Sequence, residues 1–502
     1  MKKIAVPGGH MDARGILRSG LLLFGFLFLP ACGGGGGGAA GGASPFEMAY
    51  VLEESSSSSS LGQIEYFPMN PGNGSFYPNT GASPVQTGGS VPIALLADPT
   101  NSNYLYVLNN NNTTTDGTTV GSVQGFSAAG YQKTMSAVGG PTSTGPNPVS
   151  MAIDPGGRYL VVADHGNGNS NCSGSSCGDV RAFSISSGTV TPLGSGSSFC
   201  NDPFRVVFLP GATGSASDTV IVSCSSPEYI GNPSNPGISV YVCTISGIQN
   251  SSSCHPALSS NTFSSSGFAL VNFLFVPGTS TAVGPVLSNT PGGFLLVCDF
   301  SSGGSCSTSL STISSSEFIP SGNVAFSGSG SSAALYVGNY YPSGSSFTPS
   351  TDSEFSACTS LTSSVSCSSS PIIVSSNSST PGPIFFYTTG TTLYIAATET
   401  PINGSYTGSP GTTSHSTTPQ SGTLYACPLS GITSPSTSCT SQVTGYWPVS
   451  ITTDPQTGNY LFVATLSGVV NLYSGASSGN LSSLTGPGIA SGYLPLSVLV
   501  LQ

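Results

Sequence analysis

Charge is scarce in this sequence. Of 502 residues, 8 are Lys or Arg and 19 are Asp or Glu, 5% in all, against roughly a quarter in ordinary soluble domains. Cations are scarcer still, with none between Val206 and Gln502. Proteins that grip nucleic acid neutralise phosphates with Lys and Arg, so that class is excluded and multiply phosphorylated substrates are poor candidates. Long apolar runs are also missing: the one present, LLLFGFLFLPA from Leu21 to Ala31, is about half the ~20 residues a spanning helix needs. Uninterrupted helical stretches are lacking as well. Gly (67 residues) and Pro (38 residues) punctuate the chain, among long Ser and Thr runs, which excludes an all-helical fold and favours short strands joined by many turns. The 37% of hydrophobic residues suffices for a buried core, so the chain is not disordered on compositional grounds.

What is present begins with an address. Lys2, Lys3, Arg14 and Arg18 precede the apolar run, the pattern of an export signal over residues 1–31. At its end Leu29-Pro30-Ala31-Cys32-Gly33 resembles the bacterial lipobox, which implies acylation of Cys32; the alternative is an ordinary cleavage site with an incidental Cys. Residues 32–45, nearly all Gly and Ala, read as a flexible tether, and a dual acyl anchor would hold the body, residues 46–502, at a membrane surface. The expected location is the outer membrane, facing the periplasm or the cell surface. Cleavage removes four cations and Asp12, leaving 18 acidic and 4 basic groups, a net charge of −14.

Of 13 Cys, twelve remain beside Cys32, an even number in an exported chain, which implies disulfides. Cys243 with Cys254, Cys298 with Cys306, Cys358 with Cys367, and Cys427 with Cys439 each follow one grammar. A strand-like run ends in the first Cys, a Ser/Gly-rich turn follows, then the second Cys, as in a bridge across a β-hairpin. Zinc would require short Cys knuckles and His partners, which are missing. Cys172, Cys177, Cys200 and Cys224 allow three connectivities; 172 with 177 and 200 with 224 is the preferred one.

One unit is written repeatedly: VPIALLADPTNSNYLYVLNN from Val91, NPVSMAIDPGGRYLVVADHG from Asn147 and WPVSITTDPQTGNYLFVATL from Trp447. A Pro opens a short apolar strand, Asp-Pro makes a turn, and a second apolar strand follows. Asp98, Asp154 and Asp454 suit the first position of a type I turn and read as turn formers rather than catalysts. A third and a weaker fourth strand complete a four-stranded blade. Degenerate copies lie between the clear ones. GYLPLSVLVL at the C-terminus repeats the opening strand, while EMAYVLEE and GQIEYFPMN near the N-terminus are second and third strands lacking a first. The last strand should therefore pair with the first ones and close a ring. A spacing of about 58 residues between opening prolines predicts an all-β single β-propeller of eight antiparallel blades; seven remains open because the units at Phe268 and Asn323 lack the marker Pro.

The stretches MAIDPGGRYLVVADHGNG and GDVRAFSISSGTVTPLGS from Met151 resemble the YVTN/lactonase-like β-propeller repeat family. In one branch of that family, sugar-lactone and muconate-lactone enzymes, the resemblance implies a working Arg, His and Glu. The corresponding stretches here read Asp202-Pro203-Phe204-Arg205 and Ser223-Cys224, so only Arg205 has a counterpart. A position rich in His in the family reads Pro148-Val149-Ser150.

Three His remain after export. His255 and His415 read as solvated loop residues, whereas His165 ends a second strand. With Asp164, Asp179, Arg181 and Arg205 it forms a candidate polar patch on neighbouring blades, to be weighed against turn and strand-end hydrogen bonding. Two Gly-x-Ser-x-Gly matches, Gly174 to Gly178 and Gly475 to Gly479, lack the strand-to-helix context of a nucleophile elbow. The carboxylate spacing of a calcium loop is absent. Inserts at Ile402 to Gly422 and Tyr341 to Asp352 lie between second and third strands and form a candidate recognition surface. The reading is a monomeric, non-catalytic binding or surface-interaction module for protein or neutral glycan, without metal or cofactor. The alternative is a lactonase-like hydrolase acting on a sugar lactone. Fatty-acid labelling of expressing cells is expected to mark the protein and to be lost in Cys32→Ser.

Overall fold

An Asp-Pro turn joins the first two strands of each clear unit, and its carboxylate orders the reversal. Asp154 Oδ1 accepts from the backbone N–H of Arg158 (2.5 Å) and Tyr159 (2.6 Å). Asp454 accepts from Thr457 N–H (2.7 Å) and Tyr460 N–H (2.6 Å), and Asp98 from Thr100 and Asn101 N–H. These aspartates are occupied as turn formers.

The hairpins so made extend into eight antiparallel sheets in a computed structural model that describes residues 46–502 apart from breaks in connections, the longest at 167–177, 225–237, 259–267, 376–383 and 399–421. Blade 1 comprises Tyr493–Leu501, Glu47–Ser55, Gln63–Met69 and Val85–Gln86, from inner to outer strand. Blades 2 to 8 follow in chain order, with inner strands Pro92–Ala97, Pro148–Ile153, Pro203–Phe208, the split pair Phe268–Leu270 and Leu274–Phe275, Ile319–Ser327, Ile384–Thr388 and Pro448–Thr453. The architecture is an eight-bladed β-propeller. The units at Phe268 and Asn323 that lack the marker Pro are complete blades, which settles eight over seven.

The second strands read as continuous apolar runs because both faces are buried. Leu160 and Val162 pack toward blade 2, while Val161 and Ala163 pack toward blade 4. Leu461 and Val463 face blade 7, whereas Phe462 and Ala464 face blade 1. The core is accordingly divided into clusters between adjacent blades, including one between blades 8 and 1 and one between blades 1 and 2. Outer strands such as Ser136–Ser143 are largely exposed and read as polar and glycine-rich.

Ring closure is made in blade 1. Tyr493–Leu501 pairs antiparallel with Glu47–Ser55 in a register running from Met48↔Leu501 to Ser55↔Tyr493. The opening proline has a structural counterpart here and in four other blades: the ladder shifts by one residue between Pro92 and Ala94, Pro148 and Ser150, Pro203 and Arg205, Pro448 and Ser450, and Pro495 and Ser497. Pro cannot donate to the ladder and is tolerated at a strand start or bulge, so Pro-x-Ser is the written form of a bulged inner strand.

All four expected hairpin bridges are formed: Cys243–Cys254, Cys298–Cys306, Cys358–Cys367 and Cys427–Cys439. Each closes a short loop between third and fourth strands, worth on the order of 2–3 kcal/mol by chain entropy. In blade 4 that loop is not the expected Ser/Gly turn but a short helix, Ile245–Asn250. Thr244 Oγ1 accepts from Gly247 N–H (3.0 Å) in the manner of a helix cap, and Ile245 and Ile248 are buried beneath it. Cys224 is also disulfide-bonded; Cys172, Cys177 and Cys200 lie outside the described residues.

Neighbouring blades also approach closely where a glycine at the start of a third strand faces the next blade's opening proline. A Cβ on Gly62 or Gly121 would come within 2.5 Å of Pro92 Cδ or Pro148 Cδ, and on Gly178 within 2.8 Å of Pro203 Cδ. Gly121→Ala is expected to cost about 1–3 kcal/mol by overpacking, read from the denaturation midpoint. Gly140→Ala, whose Cβ would meet nothing within 4 Å, should leave the midpoint unchanged.

Candidate functional site

The candidate residues lie on blades 3 and 4, near the rim where second strands end and third strands begin. Asp164 ends the strand Tyr159–Asp164, and Asp179, which starts Asp179–Ser186, is its cross-strand partner. Cross-strand side chains stand on the same face of a sheet, so two carboxyl groups are forced together with side-chain exposures of 0% and 2%. Arg181, two residues along, shares that face. It donates from Nη2 to Asp179 Oδ2 (2.9 Å) and from Nε to both Asp179 oxygens (3.1 Å), and its Nε lies 3.8 Å from Asp164 Oδ2. Gly145, from the preceding connection, covers the pair; a Cβ there would lie 2.6 Å from Asp179 Oδ1 and 2.8 Å from Asp164 Cγ.

One guanidinium serves two buried acids. Burial first, then the charge of Asp179 and the hydrogen bond shared with it, hold the Asp164 carboxyl well above the usual carboxylate range. Burial thus favours the protonated form of Asp164 beside the Asp179–Arg181 ion pair.

The same slot recurs in other blades. Glu53, Asn109 and Thr465 stand opposite the opening proline in blades 1, 2 and 8, as Asp164 stands opposite Pro148, all fully buried, with cross-strand partners Gln63, Ser122 and Val469 on the third strand. Asn109 Nδ2 donates to Thr87 O (2.9 Å), the carbonyl of the connection from blade 1. In blade 2 the slot ties the second strand to the connection from the preceding blade, and in blades 1 and 3 its occupant is an acid.

His165 follows immediately. Its N–H donates to Asn147 O (2.9 Å), and Asn147 Nδ2 donates in return to Gly166 O. Its imidazole Nε2 lies 4.0 Å from Asp202 Oδ1, with side-chain exposures of 3% and 10%. Burial lowers the His165 pKa to about 4 and raises that of Asp202 to about 7, so burial favours the uncharged form of each. Asn147 and Asp202 both precede an opening Pro and adopt positive φ, 53° and 52°, a conformation Asn and Asp tolerate better than most.

Arg205 lies on the inner strand of blade 4, opposite Ser223. Its neighbour Val206 donates its N–H to Ser150 Oγ (3.2 Å) on blade 3. Burial lowers its guanidinium to about 10. The charges acting on Asp164 come from Asp179 and Arg181. The structure thus brings Asp164, Asp179 and Arg181 together and sets His165 against Asp202, a residue that sequence reasoning quoted but did not single out. Its signal was an acid before an opening proline.

The arrangement suits fixation better than turnover. A general base must reach a substrate proton, yet His165, Asp164 and Asp179 are enclosed. Of the other candidates, His255 sits exposed on the outer strand of blade 4, and His415 lies outside the described residues. Gly475 and Gly479 flank a single 3₁₀ turn, Ala476–Ser478, rather than a nucleophile elbow; most of the Gly174 to Gly178 stretch lies outside the described residues. Among the described residues no cluster of three or more His, Cys, Asp or Glu could hold a metal ion.

No protein-family model matches the sequence, and no curated protein does. Solved structures that resemble it include a periplasmic gluconolactonase from Pseudomonas aeruginosa, at 13% identity and a TM-score of 0.49 over 91% of this chain and 99% of that one. AztD from Citrobacter koseri, in its apo form, matches at 11% identity and 0.46 over 91% and 98%. Sqt1 from Chaetomium thermophilum, bound to the N-terminus of a ribosomal protein, matches at 12% identity and 0.44 over 80% and 92%. Likeness at this level concerns architecture; chemistry has to be read from the residues.

If Asp164 is a neutral slot residue, Asp164→Asn should keep stability at pH 5 within about 0.5 kcal/mol of wild type. Because the native carboxyl keeps a proton that the unfolded chain releases above its ordinary pKa, wild-type stability falls as pH rises, so the Asn variant should gain on wild type toward pH 8. Arg181→Met, which leaves Asp179 buried without its cation, should cost about 3 kcal/mol at neutral pH. Paired urea melts at the two pH values read both.

Proposed function

We propose that this propeller is a non-catalytic binding or surface-interaction module, exported and held at the outer membrane by acylated Cys32, that recognises protein or neutral glycan. The observation that carries the reading is a set of long connections between second and third strands on one rim. On the opposite rim, first and second strands are joined by tight turns at residues 98–103, 154–158, 389–391 and 454–459. On the rim with the long connections, second and third strands are joined across residues 165–178, 225–238 and 399–421, and in blade 6 the second strand runs on into a small hairpin, Tyr341↔Thr348 to Ser343↔Ser346.

The connections at 165–178, 225–238 and 399–421 leave from one side of a rigid ring, where binding residues are usually placed. Their sequences are rich in Ser, Thr, Asn and Gly and nearly free of charge, which suits hydrogen bonding to an uncharged partner. The enclosed state of His165 and Asp164 favours this reading over lactone hydrolysis.

Replacing residues 402–421 by a short Gly-Ser turn is expected to abolish retention of the purified protein on a neutral-glycan array or on outer-membrane protein extracts, with an unchanged melting temperature. Turnover of sugar lactones by wild type, lost in either His165→Ala or Arg205→Ala, would establish the hydrolase instead.

A further inference from the structure

The closing blade buries acids with no cation on its own strands or on those of blade 8. Between residues 46 and 86 and between 448 and 502, the two stretches that form blades 1 and 8, the sequence contains five acids, Glu47, Glu53, Glu54, Glu65 and Asp454, and no Lys, Arg or His. Glu47 and Glu53 are fully buried and Glu65 nearly so. Burying an ionised carboxylate without a partner is prohibitively costly, so such a group takes up a proton.

Two of the three glutamates join the head of the chain to its tail. Glu47 Oε1 accepts from Gln456 N–H (2.8 Å) in the turn of blade 8. Glu65 Oε1 accepts from Ala490 N–H (3.3 Å), just before the closing strand. Glu53 lies where the closing strand bulges, opposite Pro495. Gln63 Nε2 donates to Glu53 Oε2 (2.6 Å) and reaches Glu65 Oε1 (3.4 Å). Among the described residues, Glu53 Oε1 and Glu47 Oε2 are buried without a hydrogen-bond partner.

We propose that the seam closing the ring is a proton-dependent clasp: the terminal strands hold together while Glu47, Glu53 and Glu65 keep their protons, and the seam loosens when they are lost. The groups facing these carboxyls deepen the effect. Glu53 faces Glu65 and Gln63. Glu47 faces Asp454, whose carboxylate is committed to its own turn, and Tyr460. From blade 2 the packing is apolar, Leu95, Leu105 and Val107 against Tyr50, Leu52 and Tyr66, while Asp98 is held by Thr100 and Asn101.

Burial raises Glu53 to about 8 and Glu47 to about 7, and raises Glu65 as well. The sign follows: the folded seam binds more protons than the unfolded chain above the ordinary Glu value of 4.5, so stability falls as pH climbs through that value toward about 8.

Hydrogen exchange followed by mass spectrometry on the mature, disulfide-intact protein tests this at about pH 5.5 and pH 8.5. Protection factors for Tyr493–Leu501 are expected to drop at least about tenfold more than those for the inner strand of blade 7, Ile384–Thr388. Glu53→Gln should remove most of that difference; should it fail to fold, Glu47→Gln and Glu65→Gln should each reduce it. A parallel change in both strands overturns the clasp. So does restoration of wild-type protection at pH 8.5 by calcium and its reversal by EDTA, which would place a cation rather than protons between Glu53 and Glu65.

Discussion

The pairing of Tyr493–Leu501 with Glu47–Ser55 is the constraint on which the rest depends. Each blade has two apolar faces and can bury them only against two neighbours. The core therefore lies between the blades, and the last interfaces, blade 8 with blade 1 and blade 1 with blade 2, exist only if head and tail share a sheet. Without that pairing two blades would each expose a full hydrophobic face, and the inner edge of Glu47–Ser55 would be left open. Closure holds together segments more than 400 residues apart in a single hydrogen-bonded ladder.

The low charge content has a second consequence at depth. With so few cations, a buried acid is held by turn N–H groups, as Asp454 is, lies beside a shared guanidinium, as Asp164 and Asp179 lie beside Arg181, or has its pKa raised by burial, as the glutamates of blade 1 do. The same slot holds Glu53, Asn109, Asp164 and Thr465 in four consecutive blades. The slot asks for a hydrogen-bonding side chain at a strand end and is indifferent to its charge, which explains why an acid and a histidine can sit at a junction between blades without forming a reactive centre.

Much of the fold was legible because its signals are local. Asp-Pro turns are ordered by their own carboxylates, hairpin cysteines lie within a dozen residues of each other, and Pro-x-Ser marks a bulged inner strand. The patch was legible only in part. Asp164, Asp179 and Arg181 were readable as neighbours because strand alternation puts them on one face. Asp202 reaches His165 across a blade boundary, and no period within one unit encodes that distance. The helix Ile245–Asn250 escaped notice because a Thr cap and two buried isoleucines outweigh a Ser-rich context.

The amino-acid order alone determined the strand grammar, the repeat, the bridging cysteines and the exclusion of polyanionic partners, because each rests on composition or on contacts within a few residues. Tertiary structure alone decided the number of blades, the sharing of one guanidinium by two acids, the facing of His165 by Asp202, and the gathering of three unpaired glutamates at the seam. Those depend on which blades become neighbours, and adjacency around a ring is fixed by closure rather than by any local stretch of chain.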